Sequence, residues 1–442
     1  MYAFRRNIRR IRAILTFDGQ KYCVMHKFRG EDKNSDAAAA AERNNMFIHT
    51  VSEGETLFSI GRKYGVSATK IIENNDLAHP DRISVGQKLV IFTPTRTYTV
   101  RGGDTLESIS RRFGVGYKAI LRANPSLCAK ECPHPEEVLA IKYDVPSHGA
   151  AVLNGYFYKG CTKERLMLAL AYSNCISVSA YKANAHGGID RLFNDAATVD
   201  CIREHNRRAI MRVYDGRDAG AIKINADKYI RALADAAKRR GYDGIALGAY
   251  NAAKGEGLGE FLMSLKKHLL SEGLSLTLEV DGNEPEEYSE IADACVLISD
   301  KCALEEIPSF AECEEQLYND FAQKSDSSKT FIDLSPFAYA DNMPISHREA
   351  HELAYRMNKE ILYDPDKKIC HFEYSRFHKG KRASTRVIFE SPENIKAKLG
   401  LLSSLGYMGI SFDVERVPVE HLMMCAATFA CGTDYTPLSL DI

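Results

Sequence analysis

The feature that most limits what this chain can fold into is an internal repeat near its N-terminus. Val51-Ser-Glu-Gly-Glu-Thr-Leu-Phe-Ser-Ile-Gly-Arg-Lys-Tyr-Gly-Val66 returns as Val100-Arg-Gly-Gly-Asp-Thr-Leu-Glu-Ser-Ile-Ser-Arg-Arg-Phe-Gly-Val115. Gly54 maps onto Gly103, Thr56 onto Thr105 and Ile60 onto Ile109, a constant offset of 49 residues. Similarity at a fixed offset marks one small structural unit used twice. In each copy a short strand (48–51; 98–100) runs into a glycine able to take the left-handed dihedrals of a turn. Glu55-Thr56 and Asp104-Thr105 then offer side-chain oxygens to cap a helix. Leu57, Ile60 and Tyr64, like Leu106, Ile109 and Phe113, fall at i, i+3 and i+7 and form one apolar stripe. Gly65 and Gly114 stop that helix. A second helix, capped by Ser67 in copy one, ends near Asn75 or Asn124, and a closing strand follows (87–91; 138–141). The predicted order is βααβ.

These residues resemble the LysM family. The Gly-(Asp/Glu)-Thr-Leu-x-x-Ile signature, the Gly-Val that ends the helix, the Asn, and Gly86-Gln87-Lys-Leu of copy one all agree. The resemblance implies binding of N-acetylglucosamine chains, as in peptidoglycan or chitin, in a shallow groove between the first turn and the last loop. It would place Gly54, Glu55, Thr56, Leu57, Asp81, Arg82 and Ile83 in one groove, and Gly103, Asp104, Thr105 and Leu106 in the other. In copy two Pro135-Glu136 stands for Gly86-Gln87, and the loop holds Cys128-Ala-Lys-Glu-Cys132-Pro-His134. A metal there needs a fourth ligand that the sequence does not offer. A redox pair or plain loop thiols remain, and neither metal nor cofactor is expected. The plainer alternative is that both units are packing modules only. It accounts for the apolar stripes but not for the repeated turn, since a capping turn tolerates many sequences.

The 58 basic and 59 acidic residues leave a net charge of -1. Proteins that track phosphates usually show a basic domain, so nucleic acid is not an expected partner. Neutral glycans suit a balanced charge. No run approaches the roughly 20 apolar residues that span a bilayer. The start is basic, but the apolar stretch at 13–17 is shorter than the roughly 7 residues of a signal peptide's apolar region. No Sec signal is recognisable. Residues 1–45 carry no periodic core pattern and are expected to be a disordered or mis-annotated extension, with Met46 as the working start. A basic, membrane-touching helix over 4–17 is the alternative. Twelve cysteines without a repeated spacing read as buried thiols of a reducing compartment.

From 151 onward, strand-like runs alternate with helical ones. The candidate strands are 153–158, 175–180, 209–214, 244–249, 274–280, 294–299, 330–334 and 409–412, with clear helices at 226–240 and 258–270. Eight apolar strands with helical crossovers suit an α/β fold, a (β/α)₈ barrel of the TIM type. A doubly wound open sheet is the competitor. The expected units are 1–45, 47–93, 96–143 and 151–428, with a small α+β hairpin insertion at about 359–389.

Segment by segment this region resembles family-18 glycoside hydrolases, particularly the spore-cortex-lysing N-acetylglucosaminidases, which also carry two LysM modules ahead of the barrel. Asn154-Gly-Tyr156, Ser179-Ala-Tyr-Lys-Ala-Asn-Ala-His-Gly187, Gly241-Tyr-Asp-Gly-Ile245 and Leu405-Gly-Tyr-Met-Gly-Ile-Ser411 carry the likeness. The resemblance implies substrate-assisted hydrolysis, outside the usual two-carboxylate scheme. A Glu ending the fourth strand donates a proton, and an Asp two residues earlier orients the sugar's acetamide, in a motif Asp-Gly-x-Asp-x-Asp-x-Glu. Period two along the strand puts these groups on one face.

Here that strand reads Asp243-Gly244-Ile245-Ala246-Leu247-Gly248-Ala249-Tyr250. Only the first Asp remains. Ala246 and Gly248 stand at the inner aspartates and Tyr250 at the acid, where an ordinary phenol, with a pKa of about 10, is poorly matched to proton donation. Ile298-Ser299-Asp300 replaces the family's aspartate- and tyrosine-bearing sixth strand end. Asp413 follows Phe412 where a stacking tryptophan belongs, and the chain has no tryptophan. The vestigial motif predicts a barrel without turnover. The competing reading uses relocated carboxylates at strand ends: Asp215, Asp281, Asp300, Asp413 or Glu415.

The expectation is therefore a binder of peptidoglycan or a related N-acetylglucosamine polymer in a bacterial spore coat, cortex or cell wall, deposited from the mother cell, with spore-coat proteins as further partners. An active cortex N-acetylglucosaminidase is the alternative, and a purely structural protein the third reading.

Overall fold

The computed structural model describes residues 12–17, 20–25, 46–128, 130, 132–143, 150–184, 186–214, 226–248, 258–280, 286–298, 310–334, 337–341, 343–378 and 381–431. Near the start, β1 (Arg12–Phe17) and β2 (Gln20–Met25) pair as an antiparallel hairpin. Residues 12–17, which the membrane-helix alternative would have used, form a strand. So this part of the extension, expected to be disordered, is paired. The rest of 1–45 lies outside the described residues.

Both repeats fold as predicted. Copy one runs β3 (Met46–Thr50), α1 (Leu57–Tyr64), α2 (Ala68–Asn74) and β4 (Lys88–Phe92), with β3 and β4 antiparallel. Copy two runs β5 (Arg96–Thr99), α3 (Leu106–Phe113), α4 (Tyr117–Ala123) and β6 (Val138–Lys142). Thr56 Oγ1 accepts from Ser59 N at 3.1 Å, and Ser59 Oγ accepts from Thr56 N at 3.0 Å. Thr105 and Ser108 repeat this reciprocal cap with the same distances. Gly65 and Gly114 end their helices in left-handed conformation, as expected.

The asparagine after each second helix is a buried staple. Asn75 Nδ2 donates to Ile71 O and Val90 O, and its Oδ1 accepts from Val90 N at 2.7 Å. Asn124 binds Ile120 O and both backbone groups of Ala140 in the same way. Deleting such a side chain strands buried backbone groups, at about 1–3 kcal/mol each. Asn124→Ala is therefore expected to cost about 2–3 kcal/mol and to free β6 locally. Hydrogen exchange checks this: the Ala140 amide should lose protection while that of Val90 keeps it.

The two closing loops correct the sequence alignment. Gly86 N donates to Val51 O and Val51 N donates to Gln87 O; in copy two Glu136 N donates to Val100 O and Val100 N donates to Glu137 O. So Gly86-Gln87 correspond to Glu136-Glu137, one residue beyond the expected Pro135-Glu136. Glu136 takes φ of 69° where Gly86 has 80°, a conformation uncommon for a side chain other than Asn, Asp or Gly. The inserted residue escaped notice because the offset is constant only through the turn and first helix.

All eight expected barrel strands form: β7 (Ala150–Phe157), β8 (Cys175–Asn184), β10 (Arg208–Tyr214), β11 (Gly244–Gly248), β12 (Ser275–Val280), β13 (Ala294–Leu297), β14 (Thr330–Asp333) and β20 (Gly409–Asp413). They pair in parallel in the order β7-β20-β14-β13-β12-β11-β10-β8, and β7 pairs with β8 to close the ring. Closure excludes the open sheet. A short β9 (Gly188–Arg191) folds back on β8, and β21 (Ala430–Cys431) lies beside β7. Period two sorts the side chains: Ile245, Leu247, Leu276 and Leu278 face the main core between strands and helices. Ala246, Ile210, Val296, Phe331 and Tyr156 form a separate cluster inside the ring.

The helices that matter below are α5 (Lys163–Tyr172) after β7 and α13 (Val419–Thr428) after β20. The other described barrel helices are α6 (Ala196–Glu204), α7 (Ala226–Arg240), α8 (Leu258–Ser271), α9 (Glu286–Ile291), α10 (Phe310–Lys324) and α12 (Pro392–Leu405).

The insertion is larger than the expected hairpin. That hairpin exists as β18 (Ile369–His378) and β19 (Lys381–Glu390), but it joins β15 (Ala338–Ala340), β16 (Met343–Pro344), β17 (Leu362–Asp364) and helix α11 (His347–Arg356). The sheet order is β16-β15-β19-β18-β17. Its first strands are too short to show a period in sequence.

Candidate functional site

In each repeat the turn after the first strand is built on an acid that reaches backwards. Glu55 Oε2 accepts from Ser52 N at 2.8 Å and lies 2.9 Å from His49 Nε2. Asp104 Oδ2 accepts from Arg101 N at 2.8 Å and from Tyr98 Oη at 2.7 Å. His49 and Tyr98 share the 49-residue offset, so each acid has an aromatic partner that sequence reasoning overlooked. The Ser52 amide holds the Glu55 carboxyl below its ordinary range, and the Tyr98 hydroxyl does the same for Asp104. The helix-capping role expected of these acids falls to Thr56 and Thr105 alone. Glu55 and Asp104 are both partly exposed.

The residues expected to line the two grooves differ in exposure. Gly54, Thr56, Asp81, Arg82, Gly103 and Thr105 are exposed, Ile83 is half-buried, and Leu57 and Leu106 are core. The two leucines belong to the apolar cores of their modules. Cys128 is buried, its thiol pushed up to about 12 by that burial, whereas Cys132 is exposed. Among the described residues no group of His, Cys, Asp and Glu could hold a metal.

The modules are docked on the barrel. Asp76 Oδ2 lies 2.8 Å from Arg348 of α11 and 3.6 Å from Arg165 of α5. Lys88 Nζ meets Glu393 Oε1 at 2.6 Å. Ile361 N donates to Val85 O at 2.9 Å. A Cβ on Gly86 would lie 1.9 Å from Ile361 O, so this contact requires glycine. Copy two is held by Tyr172 Oη on Arg122 O (2.8 Å) and Lys118 Nζ on His205 O (2.7 Å).

The barrel interior holds the feature that sequence comparison did not find. Arg212 on β10 and Glu279 on β12 form a two-pronged ion pair across β11, with Nη2 to Oε2 at 2.8 Å and Nε on Oε1. Arg212 stands level with Ala246, and Glu279 level with Gly248. The two small residues of the intervening strand leave room for the bridge. Its guanidinium also donates to Ser179 Oγ (3.3 Å) and Tyr214 Oη (3.1 Å) and lies 4.5 and 4.8 Å from the ring centres of Tyr156 and Tyr214. Burial opposes the charge of Arg212, but Glu279 outweighs it and holds the guanidinium firmly protonated. Glu279 is 2 % exposed.

The surviving Asp243 has another task. Its Oδ2 accepts from Ala209 N at 2.9 Å, and Oδ1 lies 3.6 Å from Arg203, at the start of β11. Asn174 accepts from Leu153 N and Asp293 from Leu276 N in the same manner. All three precede a strand and fasten it to its neighbour.

Among the proposed replacement carboxylates, Asp413 accepts from Tyr158 Oη (3.2 Å) and from the amides of Glu415 and Arg416. Glu415 Oε2 accepts from Thr162 N at 2.9 Å. Both tie loops together. Ala249, Tyr250, Asp215, Asp281, Ser299 and Asp300 lie outside the described residues. No described helix is long and apolar enough to cross a membrane.

The LysM domain family matches residues 49–92 and 98–142. A sequence relative, "Putative sporulation-specific glycosylase YdhD" of Bacillus subtilis (strain 168), is 29% identical over 253 residues, 53% of this chain and 58% of that protein. The chain thus spans under two thirds of that relative's length. The crystal structure of the spore cortex-lytic enzyme SleL of Bacillus megaterium QM B1551 superposes with a TM-score of 0.66 at 21% identity, covering 87% of this chain and 98% of that one. A chitinase from Chromobacterium violaceum ATCC 12472 matches with a TM-score of 0.56 at 17% identity, over 63% of this chain and 99% of that one. The match to SleL spans most of both chains, so the likeness lies in the fold.

Proposed function

From a chain that carries two LysM domains ahead of a barrel of the SleL and chitinase fold, we propose a binder of N-acetylglucosamine polymers whose barrel does not hydrolyse them. The glycan lies across the exposed turns at Gly54–Thr56 and Gly103–Thr105, accepted by Glu55 and Asp104 and flanked by Asp81, Arg82 and Ile83 in the first module. Docking on the barrel fixes the two grooves relative to each other. Two modest sites on one body then gain from effective concentration.

The observation that carries the silent barrel is the Arg212–Glu279 bridge over Ala246 and Gly248. Hydrolysis with substrate assistance needs a carboxylate on the fourth strand to orient the acetamide. Here that space is crossed by a guanidinium that already has its carboxylate. A new aspartate at 246 or 248 would stand beside Glu279 and compete for the same cation. General acid catalysis supplies about 10²–10⁴-fold, and the sequence has Tyr250 at the acid's position in the motif. The relatives are named as a sporulation-specific glycosylase and a spore cortex-lytic enzyme, which supports peptidoglycan of a spore or cell wall as the glycan we assign. Purified full-length protein should co-sediment with cortex peptidoglycan and chitin and be released by soluble chito-oligosaccharide. Equal retention on cellulose would contradict the assignment.

A further inference from the structure

A cleft of about 470 Å³ opens where the first LysM domain, the barrel and the insertion meet. Its walls are the loop around Asp76, the first turns of α5 and α13 with Arg165 and Glu420, and α11 with Arg348 and His351. It lies beside the loops that follow β7 and β20, at the barrel's carboxyl rim. Clefts that hold small molecules usually measure about 300–1,000 Å³, so one or two sugar rings fit.

The chemistry of the walls is that of a neutral, hydroxyl-rich ligand. Arg165 and Arg348 share the carboxylate of Asp76, and across the whole lining four arginines stand against five acids, so no single charge dominates. Burial lowers His347 to about 3 and His351 to about 4, so both rings are uncharged. Glu420 is only 9 % exposed, and its Oε2 has no hydrogen-bond partner among the described residues. Burial, with Asp76 nearby, pushes its carboxyl up to about 8. At neutral pH it is a carboxylic acid with one donor and a spare acceptor. A buried polar group without a partner is costly unless something binds it. Leu77, Val417 and Pro418 supply apolar surface beside it.

We infer that this cleft is a third saccharide subsite, which takes an N-acetylhexosamine unit through Glu420 and continues the groove of the first LysM domain. Arg82 belongs to both walls. The inference rests on the glycan-binding reading above, and it extends that reading to a site that neither the LysM turns nor the barrel interior contains.

The test is calorimetric titration of the full-length protein with N,N′-diacetylchitobiose. Gly54→Asn with Gly103→Asn blocks both turns, and the blocked protein should still bind one equivalent. In that background Glu420→Leu, or Glu164→Trp at an exposed position of the wall, should weaken the remaining site at least tenfold. Glu420→Gln, which keeps a donor and an acceptor, should stay within threefold. Matching thermal melts separate lost binding from lost fold. No residual equivalent in the blocked protein, or a residual site indifferent to both Glu420→Leu and Glu164→Trp, overturns the inference. If wild type is retained on peptidoglycan while the blocked protein takes no disaccharide, the cleft fails and the groove reading stands. If the blocked protein binds one equivalent through Glu420 while wild type is not retained on polymer, the groove reading fails instead.

Discussion

Replacing Arg212 with methionine lowers the unfolding free energy by about 3–5 kcal/mol, because it leaves Glu279 charged and unpaired inside the barrel. The carboxylate has nowhere to go: it is 2 % exposed and its described partners are prongs of the same guanidinium. Glu279→Met strands Arg212 in the same way, although the rings of Tyr156 and Tyr214 soften that loss. The double replacement by methionine removes both charges and fills similar volume, so it should return to within about 1–2 kcal/mol of wild type. Urea unfolding of the four proteins completes the cycle. Single variants that cost under about 1 kcal/mol each would mean the pair is solvated and does not close the interior.

Blocking the two turns produces the largest effect on binding. Gly54 and Gly103 sit at φ of 77° and 86°, and no atom lies within 4 Å of where their Cβ would stand. Asparagine tolerates such dihedrals, so Gly54→Asn and Gly103→Asn add bulk to the groove without disturbing the core. Each single variant should lose the avidity of the pair, about 10²-fold in apparent affinity for cortex peptidoglycan, and the double variant should keep no more than the weak binding of the single cleft beside Glu420. The capping threonines are poorer targets, because Thr56 and Thr105 hold their helices. If the double variant sediments with peptidoglycan as wild type does, the turns are packing modules only.

The repeats and the strand count were legible because each rests on a local pattern. Leu57, Ile60, Leu106 and Ile109 announce their helices, and eight apolar runs announce their strands. The Arg212–Glu279 pair was not. Sixty-seven residues separate its members, and only the closed order of strands brings them to either side of β11. Reading β11 alone shows what is missing from it, and not what its neighbours put in its place. Asp243 misled for the opposite reason, since a strand-fastening aspartate and a motif aspartate look the same in sequence. The docking contacts of Asp76, Lys88 and Gly86 were hidden as well. Polar residues on a module's surface carry no sign of which will be covered. The insertion's start was missed because β15 and β16 span only three and two residues.

The most direct measurement is prolonged incubation of the purified full-length protein with cortex peptidoglycan and with the N-acetylglucosamine hexamer, followed by mass spectrometry of released sugars. No muropeptide or shortened oligosaccharide should appear above a heat-treated control, although both substrates are bound. Product that accumulates with time, and disappears when Glu279 is changed to glutamine, would contradict a barrel that binds without cutting.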